Sequence, residues 1–162
     1  PLATVSLPST LISIGNDSFS NTLITEITLP EGVTHLYSYA FRDCQNLITV
    51  SLPESLSAIG SNPFRGANSL TTVTLPESNP YFEIVDNVFF SENLEVLYVY
   101  LPYKQETNYT IPESVVYASR YSFTGNSFLE TLLLPDSIQN YYITETFADM
   151  EYVIHLHKQI LQ

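Results

Sequence analysis

The stretch LITVSLPESLSAIGSNPFRGANSL, residues 47–70, decides the fold, because near copies of it fill most of the chain. Each copy carries a branched aliphatic residue followed by proline; these aliphatic residues are Leu7, Leu29, Leu52, Leu75, Ile111 and Leu134. A phenylalanine stands 12 residues after four of them, at Phe19, Phe41, Phe64 and Phe123. Successive copies are 22, 23, 23, 36 and 23 residues apart, and such a period is typical of units that stack on one another.

The residues before each proline alternate between apolar and small polar types, as in Val50-Ser51-Leu52. This period of two predicts a short strand with one buried face, which the proline ends because it has no N–H for the ladder. A single unit is too small to bury its own apolar side chains, so the strands must stack about 4.8 Å apart. We predict a repeat solenoid of stacked coils, with a parallel β-sheet on one face, short extended or turn segments that return, and a spine of phenylalanines.

The composition predicts one folded, acidic domain. The 162 residues are 44% hydrophobic, and 17 acidic residues against 5 basic ones give a net charge of -12. This charge repels phosphate backbones, which excludes nucleic acid as a partner, and no apolar run reaches the roughly 20 residues that a membrane span needs. Cys44 is the single cysteine, so an internal disulfide is excluded and we expect a small packed group there.

The repeated pattern L-x-x-V-x-L-P-x-S-L-x-x-I-G-x-x-x-F, as it stands in residues 47–64, resembles the BspA-like (Treponema pallidum type) leucine-rich repeat family. The resemblance runs from Leu2 to about Met150. It implies a leucine-rich repeat fold and a cell-surface or secreted microbial protein that binds host or microbial macromolecules without catalysis. No cofactor is implied.

On this basis we predict that residues 1–162 form a single leucine-rich repeat domain. Because the chain begins at Pro1, partway through a repeat, we expect it to be a fragment of a longer protein. The sequence departs from the family pattern at Glu106, where an aliphatic residue is expected, and at His157, where proline is expected.

The segment NPYFEIVDNVFFSENLEVLYVYLP, residues 79–102, resembles a variant repeat of the same family. Its alternation predicts two strands, 82–90 and 94–101, joined at residues 91–93. This β-hairpin insertion would account for the 13 extra residues between the copies at Leu75 and Ile111, which are 36 residues apart. The stacked sheet would resume at residues 109–112.

The outward positions of the predicted strands carry mostly small polar residues, among them Thr49, Ser51, Thr72 and Thr74. Threonine favours strands and tolerates contact with water, so the strand structure alone can explain why these positions carry small polar residues. The functional alternative is a flat platform on the concave sheet for a protein or glycan partner. Toward the C-terminus the outward residues become Thr131 and Leu133, then Val153 and His155, and exposed apolar side chains of this kind favour a contact surface.

Two tyrosines of the predicted hairpin, Tyr98 and Tyr100, should point the same way, opposite Val99. Tyrosine gives a large contact area at a low entropy cost, so the pair is a candidate for binding. The alternative is that both rings cover the packing seam of the hairpin itself.

An acidic stripe follows the prolines at the same position of five copies: Glu31, Glu54, Glu77, Glu113 and Asp136. Like charges about 5 Å apart in water repel by only about 0.9 kcal/mol per pair, so a solvated edge is sufficient to explain them. The alternatives are a stripe for a basic partner and a loose calcium site, although no D-x-D-x-D-G loop is present.

Catalytic and metal-binding motifs are absent from the sequence. The histidines are His35, His155 and His157, and neither H-E-x-x-H nor C-x-x-C occurs. We therefore predict a non-catalytic cell-surface binding or adhesion module that docks host or microbial macromolecules, such as matrix proteins or glycans, on its concave sheet and hairpin. The alternative is a set of structural spacer repeats in a larger surface protein whose active domain lies elsewhere.

Overall fold

The computed structural model describes residues 2–139. The predictions for Val153, His155 and His157 therefore lie outside the described residues. The described part of the chain contains short strands only: β1 Ser13–Ile14, β2 Glu26–Thr28, β3 His35–Leu36, β4 Thr49–Ser51, β5 Ala58–Ile59, β6 Thr72–Thr74, β7 Phe82–Val85, β8 Val88–Ser91, β9 Val96–Tyr100, β10 Asn108–Thr110, β11 Tyr117–Ala118 and β12 Thr131–Leu133. No helix long and apolar enough to cross a bilayer occurs among these residues.

The strands before the prolines stack in parallel, as the repeat predicts. In the β2-β4-β6 sheet, Ile27 pairs with Val50 and Val50 with Val73, each one repeat further along. These central residues are buried, whereas the residues on either side of them reach the surface. The predicted period of two and the predicted solenoid are both confirmed.

A second parallel sheet, β1-β3-β5, lies on the returning half of the coils. Beyond it the rings of Phe19, Phe41 and Phe64 stack, with centroids 5.5 Å and 5.9 Å apart and nearly parallel planes. The phenylalanine spine is thus confirmed for three coils. Phe123, in a later coil, stacks on Tyr100 of the insertion with the ring centroids 5.2 Å apart.

The variant repeat contains three antiparallel strands, β7, β8 and β9, so the prediction of two strands was wrong. The first predicted strand is interrupted at Asp86-Asn87, where both residues have positive φ, 48° and 61°. Paired positive φ values at an Asp-Asn dipeptide are typical of a tight hairpin turn. The three residues after the turn, 88–90, are all apolar and buried, so they do not continue the alternation that the prediction assumed.

Strands β7, β8 and β9 belong to one sheet, in which β11 pairs in parallel with β9. Strands β8 and β9 are largely buried and separate two clusters of the core. Phe89 and Val99 pack into the first cluster, with the core of the N-terminal coils. Val88, Phe90 and Leu97 pack into the second, with the core of the C-terminal coils. The insertion is therefore a shared wall of the core rather than a surface flap.

Beyond this wall the repeat resumes, and β10 pairs in parallel with β12. The sheet does not resume as one continuous ladder, because within the described residues the β10-β12 pair forms a sheet separate from β2-β4-β6. The predicted platform is consequently split into two parts.

Lys104 accounts for the departure from the family pattern at Glu106. The lysine side chain is only 5% exposed, and its Nζ lies 5.7 Å and 5.6 Å from the ring centroids of Tyr100 and Tyr109. Nζ also donates a 2.7 Å hydrogen bond to Glu106 Oε1. The buried lysine stem fills space beside the rings, and the exposed carboxylate at position 106 compensates its charge.

Candidate ligand-binding surface

The β2-β4-β6 sheet presents a flat row of small polar side chains. Thr49 on β4 pairs with Thr72 on β6, and Ser51 pairs with Thr74. The four predicted residues therefore lie side by side as two neighbouring pairs on these strands. Thr72 and Thr74 are exposed, whereas Thr49 and Ser51 are half-buried. The structure brings these four residues together on one surface.

Thr131 and Leu133 lie in the other part of the platform. Thr131 pairs with Asn108 and Leu133 with Thr110, on the β10-β12 sheet. Leu133 is 38% exposed and Thr131 is half-buried. These two residues are therefore accessible, but they do not belong to the same ladder as the four threonine and serine residues.

Tyr98 and Tyr100 point to opposite sides of the insertion, which corrects the prediction that they share a face. A register shift between Phe89 and Phe90 leaves Tyr98 as the extra residue of a β-bulge, and this turns it toward the first cluster. Its ring meets Phe82 edge-on at 5.4 Å, and burial raises the pKa of its hydroxyl.

Tyr100 is 0% exposed and packs in the second cluster between Tyr109 and Phe123. Burial also raises the pKa of this hydroxyl far above its ordinary value. A side chain without exposed surface cannot contact a macromolecular ligand, so we remove Tyr100 from the candidate surface. The packing-seam explanation therefore holds for Tyr100, whereas Tyr98 is half-buried and its role in binding stays a prediction.

The acidic stripe lies on the surface. Glu31, Glu54, Glu77, Glu113 and Asp136 are all exposed. Neighbouring members approach each other, since Glu31 Oε1 accepts a 3.4 Å hydrogen bond from the backbone N–H of Glu54. Within the described residues, no group of three or more histidine, cysteine or acidic side chains is arranged to hold a metal ion.

A cleft of about 500 Å³ opens where the β2-β4-β6 sheet meets the insertion. Three exposed carboxylates, those of Glu77, Glu83 and Glu92, line it together with the apolar side chains of Leu75 and Ile84. Of these three acids, only Glu77 belongs to the acidic stripe predicted from the repeat. The other two come from β7 and from the turn after β8, and only folding brings them opposite the stripe.

Asn79 fixes the floor of this cleft. Its Nδ2 donates hydrogen bonds of 2.9 Å to the carbonyl oxygens of Glu54 and Leu56 in the preceding coil. Its Oδ1 accepts hydrogen bonds of 2.9 Å from the N–H groups of Tyr81 and Phe82. Because this amide uses both its donor and its acceptor, the entry of the chain into the insertion is rigidly placed.

Cys44 and His35, the cysteine and the histidine of the described residues, both pack against neighbouring groups. Cys44 is fully buried, and its Sγ donates to the carbonyl oxygen of Phe19 at 2.9 Å, which confirms the prediction of a small packed group. The His35 ring stacks on Tyr37 at 5.7 Å, and its Nδ1 lies 2.8 Å from Thr34 Oγ1. Neither lines the cleft.

Comparison with known proteins supports the repeat assignment. The sequence profile of the BspA type leucine rich repeat region, in 6 copies, matches residues 1–107 and 103–155. No curated protein matches the chain.

Among solved structures, the pneumococcal vaccine antigen PcpA is similar, with 28% identity and a TM-score of 0.66 over 86% of this chain and 40% of that one. A leucine rich cell surface protein from Faecalibacterium prausnitzii has 25% identity and a TM-score of 0.75, over 86% of this chain and 37% of that one. The T. pallidum leucine rich repeat protein, at 21% identity and a TM-score of 0.51 over 80% of this chain and 57% of that one, shares the fold. The chain spans about two fifths of the length of the first two structures.

Proposed function

Because the chain belongs to the family of BspA type leucine-rich repeat regions, we propose that it is a non-catalytic binding module of a bacterial cell-surface protein. Its partner is a protein, and the contact is made by an extended, positively charged segment of that protein. The docking site is the cleft between the β2-β4-β6 sheet and the insertion. The surface location is supported by the F. prausnitzii relative, which is described as a cell surface protein.

The observation that carries this proposal is the convergence of Glu77, Glu83 and Glu92 around one cleft with an apolar lining. A basic side chain can place its charged end among the carboxylates while its methylene stem lies on Leu75 and Ile84. The net charge of -12 attracts such a partner from a distance and increases its association rate.

Neighbouring surface extends the site. Tyr81, 51% exposed, stands next to Pro80 and adds an aromatic contact at the rim. Thr72 and Thr74 lie on the adjacent strand, β6, and Thr49 and Ser51 lie beside them on β4, one repeat earlier in the chain. The hydroxyl groups of these side chains can bind polar groups of the partner. Thr131 and Leu133 would contact a partner only if it also reached the β10-β12 sheet.

The test is titration of the 162-residue chain with a lysine-rich peptide by isothermal titration calorimetry. We expect binding that weakens as salt is added, and a triple variant Glu77→Gln, Glu83→Gln, Glu92→Gln that has lost it. The matched control, Glu31→Gln, Glu54→Gln, Glu113→Gln, removes the same charge from exposed positions of the stripe outside the cleft and should retain most of the affinity.

Equal losses in the two triple variants would show that net charge alone attracts the peptide, and the cleft would then have no specific role. An absence of binding, both to this peptide and to a panel of extracellular matrix proteins, would contradict the proposal. That result would favour the alternative of structural spacer repeats.

A further inference from the structure

Strand β7 has an unpaired edge. It is the last strand of the β11-β9-β8-β7 sheet, so within the described residues only its β8 side carries a hydrogen-bond ladder. Three consecutive residues of β7, Phe82, Glu83 and Ile84, line the cleft. Because neighbouring residues of a strand point to opposite faces, a cleft lined by all three runs along the edge of the strand rather than over one face. The free edge of β7 therefore opens into the cleft.

The pairing with β8 shows which main-chain groups of β7 reach this edge. Val85 and Val88 close the two-residue turn at Asp86-Asn87, and such a closing pair exchanges both of its N–H···O bonds. Hydrogen-bonded and non-hydrogen-bonded pairs then alternate, so Ile84, opposite Phe89, directs its N–H and C=O away from β8. In the described part of the chain, neither of these two groups has a hydrogen-bond partner.

The beginning of β7 agrees with this alternation. The carbonyl oxygen of Tyr81 accepts a 2.9 Å hydrogen bond from the N–H of Glu92, as expected for a pair that faces β8. Phe82, which should face the free edge, donates its N–H to Asn79 Oδ1 at 2.9 Å. Asn79 thus anchors the first residue of the edge, and the groups of Ile84 that follow are open to a ligand.

We propose that an extended segment of the partner protein adds as a strand to the free edge of β7. This inference rests on the proposed function, because it specifies how the positively charged segment is held in the cleft. Main-chain hydrogen bonds to Ile84 align the segment with β7, which is the binding mode called β-augmentation. The partner is then recognised by its backbone as well as by its charge.

The side chains of Glu83 and Glu92 decide which residues of the added strand are basic. Glu92 pairs with Tyr81, two residues before Glu83, so both carboxylates lie on the same face of the hairpin. On the other face Phe82 is buried and Ile84 packs against the first cluster. Every second side chain of an added strand meets the carboxylates, so the preferred segment alternates lysine or arginine with small or apolar residues.

A basic segment suits this edge better than a second copy of the same chain does. An open edge can pair with the same edge of another molecule. Such pairing would bring the exposed carboxylate of Glu83 toward the carboxylates of the other copy, and like charges opposite each other destabilise a sheet. The net charge of -12 also opposes the approach of two copies, whereas it attracts a basic partner.

The test compares three forms of one ten-residue peptide in which lysine and alanine alternate. The first form is unmodified, the second carries N-methyl groups on the lysine amides, and the third carries them on the alanine amides. Isothermal titration calorimetry with the 162-residue chain measures the affinity of each form. In an added strand only alternate N–H groups face β7, so one methylated form should lose binding and the other should retain most of it.

The form that loses binding also gives the direction of the added strand. Lysines beside Glu83 turn their N–H groups away from β7 in an antiparallel strand and toward it in a parallel one. Equal affinities of the two methylated forms, whether both unchanged or both lost, would overturn strand addition. The proposed function would survive that result as long as the unmodified peptide binds. Absence of binding by the unmodified peptide would contradict both.

Two variants of β7 test the same hydrogen bonds from the protein side. Ile84→Pro removes the N–H that faces the cleft, and proline is tolerated on the open side of an edge strand. Its matched control, Ile84→Ala, shortens the same side chain but keeps the N–H. Relative to this control, Ile84→Pro should bind the unmodified peptide about threefold to tenfold more weakly, as expected for the loss of one hydrogen bond. Equal affinities would contradict the assignment, and the methylated peptides decide it if Ile84→Pro does not fold.

Discussion

Asn62 Nδ2 donates a 2.7 Å hydrogen bond to the backbone carbonyl oxygen of Tyr121, 59 residues further along the chain. The same amide Nδ2 lies 3.4 Å from the carbonyl oxygen of Thr124, and its Oδ1 accepts from the N–H of Phe64 at 3.2 Å. The coils of Phe64 and Phe123 are therefore in direct contact on this edge. The variant repeat that separates them in sequence does not intervene between them there.

Replacement of Asn62 by alanine should destabilise the protein by about 1–3 kcal/mol, because buried backbone groups at Phe64 and Tyr121 lose their partner. The measurement is the free energy of unfolding in urea. Asn46→Ala, at an exposed position, is the matched control and should change the stability very little. If the two variants were equally stable, the contact between the coils would contribute nothing.

Replacement of Phe64 by alanine should cost about 3–5 kcal/mol, because the ring is fully buried and stacks on Phe41. Thermal or urea unfolding measures this loss. Phe128→Ala removes the same ring from a side chain that is 42% exposed, and it should cost much less. Similar losses for the two variants would show that the phenylalanine spine has no special role in stability.

Glu106 predicts a pH dependence of stability. The hydrogen bond from Lys104 lowers the pKa of the Glu106 carboxyl below its ordinary value of 4.5. A group whose pKa is lower in the folded state stabilises that state above its unfolded pKa, and the contribution disappears as the pH falls through the folded pKa. We expect Glu106→Gln to be less stable than the unaltered chain at neutral pH, with a difference that shrinks as the medium becomes acidic.

The carboxyl of Glu106 is about half exposed, so the effect should be small and should decrease as salt is added. Urea unfolding at a series of pH values measures it. Exposed Glu130→Gln is the control for the removal of one charge. A stability difference between Glu106→Gln and the unaltered chain that stayed constant with pH would disprove the coupling to Lys104.

The sequence predicts the regular part of the fold well. The strands before five of the six repeat prolines, their parallel pairing one repeat apart and the stacking of Phe19, Phe41 and Phe64 all follow from a local pattern that is copied. Among the described residues, no strand forms before Pro8, the proline of the first copy. Repetition makes this possible, because each coil packs against a neighbour with the same sequence pattern. The pattern that determines the structure of one coil therefore also determines which side chains meet between coils.

The prediction fails where the copying fails. The prediction treated residues 82–90 as one alternating strand, although Asp86-Asn87 forms a turn and the next three residues, 88–90, are all apolar and buried. Alternation also did not reveal the bulge that turns Tyr98 away from the face of Tyr100, because a single extra residue reverses the side on which a strand residue lies.

The amino-acid sequence by itself determined that this chain is a solenoid of stacked coils, since apolar spacing and proline position act within one repeat. Only the tertiary structure decided which surfaces exist for ligands. Glu83 and Glu92 line the same cleft as Glu77 because the insertion packs against the coil that carries Glu77. Tyr121 contacts Tyr39 because the insertion lies inside the core and does not separate the coils at the phenylalanine edge. Such contacts depend on how an irregular unit is accommodated between regular ones, and no local pattern encodes that.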